Sequence, residues 1–75
     1  MARSIDLTGL DCPEPVLRVF RELGRLEAGE WLEARMDSEA CAYTAVEMIN
    51  RSGVGAASVS RERDGVYVVR VLRLR

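Results

Sequence analysis

The sequence predicts an α+β two-layer sandwich, with a four-stranded mixed sheet and two helices on one face. Two segments place their apolar residues at helical spacing, and each has a single apolar stripe. Four other segments show the alternation or the β-branched content that is typical of strands. Their order is β-α-β-α-β-β, and two helices with one stripe each can bury both stripes against one face of a sheet. Residues 1–75 are expected to form one small domain.

The first strand and the first helix lie in the first third of the chain. Residues 3–7, RSIDL, are the predicted strand, which ends at Thr8 and Gly9. The helix is predicted from about Pro13 to Leu26, and the sequence EAGE then breaks it. Its apolar stripe, expected in the core, consists of Val16, Val19, Phe20, Leu23 and Leu26.

The second strand and the second helix follow this break. Residues 30–37, EWLEARMD, alternate, and we expect the face that includes Trp31 to be partly exposed. Asp37 or Ser38 can cap a helix over residues 39–52. The expected core positions are Leu32, Ala34 and Met36 on the strand and Ala42, Ala45, Val46 and Ile49 on the helix.

Two further strands complete the predicted sheet. Gly53 suits the exit from the second helix, because glycine readily adopts the left-handed conformation that ends many helices. Residues 56–63 and 66–74 are the predicted strands, joined by a hairpin turn at Asp64-Gly65. The last strand has apolar residues on both faces, so its periodicity leaves its register open.

The composition excludes several classes of chemistry. Hydrophobic residues make up 48% of the chain and charged residues 31%, and the net charge of −1 favours neither nucleic acid nor a membrane as a partner. The chain has no histidine and no lysine, which excludes Cys-His and Ser-His-Asp catalysis and a lysine Schiff base within it. Two cysteines without histidine argue against a structural zinc site, so we expect neither a metal nor a cofactor.

The start of the chain bears on its location. The first residues, MARSIDLTG, have no apolar run long enough for a signal peptide, and no transmembrane segment follows. We therefore expect a cytoplasmic protein. Its two cysteines could form one disulfide, but free thiols are the expectation in a reducing compartment.

The stretch GLDCPEPVL places Cys12 directly before two prolines that flank a glutamate. Proline is favoured in the first turn of a helix, so Pro13 is predicted to be the first helical residue and Cys12 the N-cap. Cys12 would then lie at the positive end of the helix dipole, where the N–H groups of Glu14 and Val16 can face a reactive thiolate. The carboxylates of Asp11 and Glu14 oppose ionisation, which leaves the net effect open.

Each cysteine has a structural and a functional interpretation. Cys12 can be a small buried residue, although Asp, Ser or Thr would cap a helix better. Cys41, near the start of the second helix, is spaced helically with Ala45 and Met48, and we predict a buried core residue that is not bonded to Cys12. The other interpretation of Cys41 is a resolving cysteine that forms a disulfide or polysulfide with Cys12.

The stretch GLDCPEPVL resembles the Gly-Leu-x-Cys-Pro-x-Pro-Val signature of the TusA/SirA-like sulfur carrier (sulfurtransferase) family. The segment LEAGEWLEARMDSEA is also similar to that family's helix end, Gly-Glu turn, second strand and acidic start of the second helix. The resemblance covers almost the whole chain, strongly to about Ala40 and weakly beyond. It implies the same β-α-β-α-β-β order, in a two-layer fold like the C-terminal domain of bacterial translation initiation factor three.

The resemblance also implies a function. The motif cysteine of the family accepts a sulfane sulfur as a persulfide and passes it to a partner, so Cys12 is the expected catalytic residue. Its motif neighbours Pro13, Glu14, Pro15 and Val16 are the expected binding residues. The implied partners are a sulfur donor, such as a cysteine desulfurase or a rhodanese-like protein, and a sulfur acceptor in tRNA thiolation, molybdenum cofactor assembly or sulfur oxidation.

Three short segments depart from the family pattern, and they leave the identity of the donor and the acceptor open. Many members have basic residues in the first helix, Asp-Ile-Pro in the second helix and Gly-His before the third strand. The corresponding segments here are Phe20-Arg21, Thr44-Ala45-Val46 and Gly53-Val54.

Two other functions fit the same residues. One is a non-catalytic interaction or regulatory module, in which Cys12 only shapes the start of the helix. The other is RNA binding, which the fold analogy alone suggests, through a basic patch on the last two strands. The net charge of −1 and the single Trp and Phe count against it, so we expect no direct nucleic-acid binding. The arginines of the patch would be Arg61, Arg63, Arg70, Arg73 and Arg75.

Overall fold

The computed structural model describes residues 2–75, and its elements follow one another in the predicted order. The strands lie within one residue of their predicted bounds, and the second helix has the predicted bounds. The elements are β1 (Ala2–Asp6), α1 (Glu14–Leu23), β2 (Trp31–Met36), α2 (Glu39–Ser52), β3 (Gly55–Arg63) and β4 (Val66–Arg73).

The sheet is mixed, as predicted, and its strand order is β1-β2-β4-β3. β1 and β2 are parallel neighbours, whereas β4 is antiparallel to both β2 and β3. The turn between β3 and β4 contains Gly65, which has a φ of 76° that glycine adopts without a steric penalty. The two strands that directly precede helices therefore run side by side in the same direction.

Both helices pack on one face of the sheet, which confirms the two-layer sandwich. The core between the layers joins apolar residues of α1 and α2 to those of β2 and β4. Phe20 and Val46 are only partly buried, contrary to the prediction, and pack against this core. Phe20 lines a groove between the C-terminal ends of the two helices. The fully buried positions include Val19, Leu32, Ala34, Met36, Ala42, Ala45, Ile49, Val69 and Val71.

Pairing with β2 settles the register of β4. Val69 pairs with Ala34 and Val71 pairs with Leu32, so both valines face the helices. Val68 lies on the opposite face beside Arg35, and only 1% of its surface is exposed. Arginine side chains can cover an apolar neighbour with their aliphatic stems, and this face is rich in them.

The face of the sheet away from the helices carries a network of ion pairs. Arg35 binds both carboxylate oxygens of Glu62, with Nη2 at 2.9 Å and Nε at 3.1 Å. Arg70 Nε donates to Glu33 Oε2 at 3.0 Å, and Arg35 Nη1 lies 3.8 Å from the other oxygen of Glu33. The hydrogen bond from Arg35 lowers the pKa of Glu62, and the same bond raises the pKa of Arg35.

Two arginines of the expected basic patch, Arg70 and Arg73, are engaged in separate interactions. Arg70 is paired with Glu33 on the face away from the helices. Arg73 instead donates through Nη1 to the carbonyl oxygen of Leu23 at 2.7 Å, at the C-terminal end of α1. A cation at this end of a helix is favoured by the helix dipole, so Arg73 has a structural role.

α1 ends at Leu23, three residues before the predicted end. Gly24 follows, and glycine is a poor helix former. The next N–H groups, of Arg25 and Leu26, bond to carbonyl oxygens three residues earlier, which tightens the turn. Leu26 is still buried in the core, although it lies outside the helix. Neither helix in the described part of the chain is long and apolar enough to cross a membrane.

Both predicted caps of α2 are confirmed. The hydroxyl of Ser38 accepts a hydrogen bond from the N–H of Cys41 at 3.2 Å. Gly53 ends the helix in the left-handed conformation, with a φ of 75°. The second helix is therefore anchored at both ends, and its first turn has a fixed position.

The first testable prediction concerns Gly55, which is buried at the start of β3. A Cβ atom there would lie 3.1 Å from each of Ile49 Cγ2, the Leu72 carbonyl oxygen and Val71 Cγ1. We expect Gly55→Ala to lower the free energy of unfolding by about 1–3 kcal/mol, because the strand must shift to relieve this overpacking. Urea denaturation of the reduced protein measures the change.

Gly24→Ala is the matched control for this substitution. Gly24 has a right-handed helical conformation, and the nearest atom to an added Cβ lies at 3.4 Å. The free energy of unfolding of Gly24→Ala should stay the same as that of the wild type or rise by up to about 1 kcal/mol. Equal stability of the two variants would contradict the packing account of Gly55.

A second prediction follows from the pairing of Glu62 with Arg35. Because folding lowers the pKa of Glu62, the contribution of its ion pair to stability is fully present above the ordinary glutamate pKa and is lost as the pH falls through the lower folded pKa. We expect Glu62→Gln to be less stable than the wild type at neutral pH, and the difference to narrow in acid. Urea unfolding of both proteins, repeated from neutral pH into acid, measures the difference in their free energies of unfolding. A difference independent of pH would refute the assignment.

Candidate functional site

The candidate functional site lies where two strand-to-helix loops meet. β1 and β2 are parallel neighbours, so their carboxyl ends lie at the same edge of the sheet. α1 follows β1 and α2 follows β2, and both helices therefore begin near this edge. The pairing continues one residue past β1, where the N–H of Leu7 donates to the carbonyl oxygen of Arg35 at 2.7 Å.

Side-chain hydrogen bonds hold the two loops together. Asp6 accepts hydrogen bonds from the N–H and the hydroxyl of Thr8, at 3.0 and 2.7 Å, and these bonds lower the pKa of Asp6. Asp37, directly after β2, accepts a hydrogen bond from the N–H of Gly9 at 2.7 Å. Gly9 has a φ of 85°, which presents its N–H in a conformation that favours glycine. The loop that precedes Cys12 is thus tied to the loop that precedes α2.

The start of α1 differs from the prediction by one residue. The helix begins at Glu14, and Pro13 rather than Cys12 is the N-cap. The N–H of Glu14 donates to the carbonyl oxygen of Asp11 at 2.8 Å, which forms a turn around Cys12 and Pro13. Because this N–H is engaged, it does not face the sulfur of Cys12 as expected. Cys12 still lies directly before the helix, near its positive end.

The two acidic neighbours of Cys12, Asp11 and Glu14, have different surroundings. Glu14 is paired with Arg18 one turn along the helix, with Arg18 Nε 3.0 Å from Glu14 Oε2. Asp11 is exposed to solvent, which screens its charge. The negative charge of Glu14 is therefore partly offset within α1, and it opposes a thiolate at Cys12 less than an unpaired carboxylate would.

The five predicted site residues divide into two groups by burial. Cys12 and Pro13 are exposed, and Glu14 is half-buried. Pro15 and Val16 are buried against the core. The exposed residues can contact a partner directly, whereas Pro15 and Val16 anchor the start of α1 to the core.

Cys41 is bonded to Cys12, and the prediction that it is not is wrong. The two residues form a disulfide with a Cα–Cα distance of 5.8 Å. The cause is the parallel pairing of β1 and β2, which brings the first turn of α2 next to the start of α1. The resolving interpretation of Cys41, which the sequence left open, has the required juxtaposition.

The two cysteines differ strongly in exposure, and the burial of Cys41 is as predicted. Cys12 is exposed, whereas Cys41 has 0% of its surface exposed and belongs to the core. Met48, expected on the same border stripe as Cys41, is 47% exposed. The site thus joins an exposed residue, Cys12, to a buried residue, Cys41.

Among the grooves on the described surface are two shallow ones, and neither of these is lined by a cysteine. One lies beside β1 and α1, lined by Ile5, Asp6, Leu7, Arg18 and Glu22. The other lies at the opposite end of the helices and includes Phe20 and Arg73. Cys12 is instead an exposed residue directly before α1.

Sequence reasoning missed one contact of the site and preferred the wrong alternative for another. The hydrogen bond from Gly9 to Asp37 joins residues 28 apart, and no local pattern predicts it. The pairing of Cys41 with Cys12 had an available signal, because each cysteine stands at the start of a helix that follows a strand. That signal becomes decisive only once β1 and β2 are known to be parallel neighbours.

Comparison with known proteins shows matches over almost the entire chain. The model of the family described as "Sulfurtransferase TusA" matches residues 3–73. A protein of Archaeoglobus fulgidus described as "Putative sulfur carrier protein" is 29% identical over 73 residues, which are 95% of each chain. The crystal structure of a SirA-like protein from Desulfitobacterium hafniense superposes with a TM-score of 0.84 at 26% identity, and covers 100% of both chains.

The tie between Gly9 and Asp37 generates the third prediction. Asp37→Ala removes the acceptor, so the two cysteine loops separate more easily and the thiols have a lower effective concentration for each other. We expect the equilibrium for forming the Cys12–Cys41 disulfide with glutathione to weaken roughly three- to tenfold, as for one lost exposed hydrogen bond. Alkylation of free thiols, followed by mass spectrometry, measures this equilibrium.

Asp37→Asn is the matched control, because its side-chain oxygen can accept the same hydrogen bond. It should stay closer to the wild type than Asp37→Ala. If the alanine variant forms the disulfide as readily as the wild type, the hydrogen bond does not position the cysteines.

Proposed function

The chain belongs to the sulfurtransferase TusA family, and on this premise we propose that it carries sulfur as a persulfide on Cys12. The proposed unit is the whole chain, residues 1–75. A sulfur donor protein would load Cys12, and a sulfur acceptor protein would remove the sulfur. The fold and the family support a carrier of sulfur, and the placement of Cys12 supports its role as the carrying residue.

One observation supports this role of Cys12 above the others. Cys12 is the exposed cysteine, and it lies directly before α1 in a turn closed by the Glu14–Asp11 hydrogen bond. A thiol must be accessible to attack a sulfur held by another protein. The other cysteine of the chain, Cys41, is buried and cannot be approached from outside without opening the core.

The loading step is an exchange between two sulfur atoms. The Cys12 thiolate attacks the outer sulfur of a persulfide on the donor, a new S–S bond forms, and the donor cysteine leaves as a thiolate. Delivery repeats the step, with an acceptor nucleophile attacking the outer sulfur on Cys12 and the Cys12 thiolate leaving. The oxidation state of the transferred sulfur is unchanged when the acceptor is a thiolate, so the exchange needs no external oxidant or reductant.

The motif neighbours of Cys12 have separate roles in this proposal. Pro13 and Glu14 lie at the surface beside the sulfur and would contact the donor and the acceptor. Pro15 and Val16 are buried and hold the first turn of α1 on the core. A cysteine desulfurase or a rhodanese-like protein is the proposed class of donor, and the proposed location is the cytoplasm.

The fourth prediction tests loading at Cys12 in protein that cannot form the disulfide. Cys41→Ala is incubated with a cysteine desulfurase and L-cysteine, desalted, and measured by intact mass spectrometry. We expect a gain of one sulfur atom, because the exposed thiolate accepts it, and a return to the starting mass after dithiothreitol.

The double variant Cys12→Ser/Cys41→Ala is the matched control, since a serine hydroxyl cannot hold sulfane sulfur. It should gain no sulfur while keeping a cooperative thermal transition. A double variant that gains as much sulfur as Cys41→Ala would refute Cys12 as the carrying residue. If neither variant gains sulfur from a cysteine desulfurase or from a rhodanese-like donor, a non-catalytic interaction module is favoured instead.

A further inference from the structure

We propose that Cys41 resolves the Cys12 persulfide and thereby gives the protein a second activity, the release of sulfide. This inference rests on the proposed function, because it starts from a persulfide on Cys12. It arises from a separate observation, the bond between the two cysteines in the folded chain. The carrier then has two outcomes for its sulfur: delivery to an acceptor, or reduction to sulfide within the chain.

The contact between the cysteines identifies the atom that Cys41 attacks. Cys41 Sγ bonds to Cys12 Sγ, and in a persulfide Cys12 Sγ is the inner of the two sulfur atoms. The Cα–Cα distance of 5.8 Å lies within the range of ordinary disulfides, so the folded backbone accommodates the product. Attack on the inner sulfur releases the outer sulfur as sulfide.

The step balances without another reactant. The Cys41 thiolate forms an S–S bond to Cys12 Sγ, and the bond between Cys12 Sγ and the outer sulfur breaks. The electron pair of that bond leaves with the outer sulfur as HS⁻. The sulfane sulfur is reduced to sulfide, and the two cysteine sulfurs end as a disulfide.

The burial of Cys41 determines the side from which it attacks the Cys12 persulfide. Displacement at sulfur places the attacking and leaving atoms on opposite sides. Cys41 is fully buried and approaches from the core, whereas Cys12 is exposed, so the outer sulfur faces solvent and can leave. The same burial shields Cys41 from outside thiols, which restricts its reaction to Cys12.

The position of Cys41 in α2 fixes the direction from which its sulfur meets Cys12. Cys41 lies in the first turn, where the helix dipole favours negative charge, whereas its burial in the apolar core opposes it. Its own N–H donates to the hydroxyl of Ser38, which fixes the main chain beneath Cys12. The disulfide that results can be reopened by a dithiol reductant that attacks the exposed Cys12 sulfur and releases the Cys41 thiolate.

The fifth prediction compares single turnovers of two proteins. Rhodanese is loaded with sulfur from thiosulfate, freed of excess reagent, and mixed in equal amounts with reduced, desalted wild type or Cys41→Ala. We expect the wild type to release one sulfide per chain and to end lighter than its reduced form by two hydrogens. Cys41→Ala should release none and keep one added sulfur. Sulfide is measured colorimetrically, and the proteins by intact mass.

The rate after loading separates an internal reaction from one between molecules. An attack by Cys41 on its own chain proceeds at a rate independent of protein concentration. A rate that rises in proportion to concentration, or a wild-type persulfide that lasts as long as that of Cys41→Ala, would overturn the proposal. Cys41→Ser serves as a second variant, and thermal unfolding of each variant confirms that it is folded.

A further arm of the experiment does not depend on a donor protein. Sodium sulfide added to the oxidised wild type should run the same step in reverse and leave one added sulfur on Cys12. Retention of the intact disulfide, or sulfur found on Cys41 after alkylation and digestion, would refute the geometry. If this arm succeeds but Cys41→Ala cannot be loaded by rhodanese or a cysteine desulfurase, the proposed function fails and the reactivity of the cysteine pair stands.

Discussion

The parallel pairing of β1 with β2 is the constraint on which the rest of the site depends. Two neighbouring parallel strands that each lead into a helix must begin both helices at the same edge of the sheet. The chain places a cysteine near each of these helix starts, and the bond from Gly9 to Asp37 holds the two loops together. An antiparallel β1 would place the start of α1 at the other end of the sheet, away from Cys41.

Much of the fold could be predicted from the sequence, because it depends on local patterns. The alternation in β2, the apolar stripes of the helices and the Asp64-Gly65 turn each specify an element without reference to the others. The pairing of Cys41 with Cys12 could not be predicted in the same way. It depends on strand order, which no single segment encodes, and helical spacing alone correctly indicated that Cys41 is buried but not what it contacts.

The start of α1 shows a finer limit of sequence reasoning. Proline in the first turn was identified correctly, since Pro15 occupies the first helical turn. The exact cap was displaced by one residue because the N–H of Glu14 bonds back to Asp11, an interaction that competes with a cap at Cys12. The result is a cysteine held in a turn before the helix, and its exposure follows from this position. One exposed and one buried sulfur give a chain without histidine two sulfur atoms of different reactivity.

The disulfide also encloses a large part of the chain. It joins residues 29 apart and closes a loop that contains α1 and β2. Closing a loop of this length lowers the entropy of the unfolded chain, which raises the free energy of unfolding by about 3–4 kcal/mol in the chain-entropy model. This is a large share of the stability of a small protein. The reduced form, which has the thiol needed to accept sulfur from a donor persulfide, is therefore the more readily unfolded of the two. Proteolysis that acts through unfolding would remove it first, and the cellular lifetime of the protein would then follow its redox state.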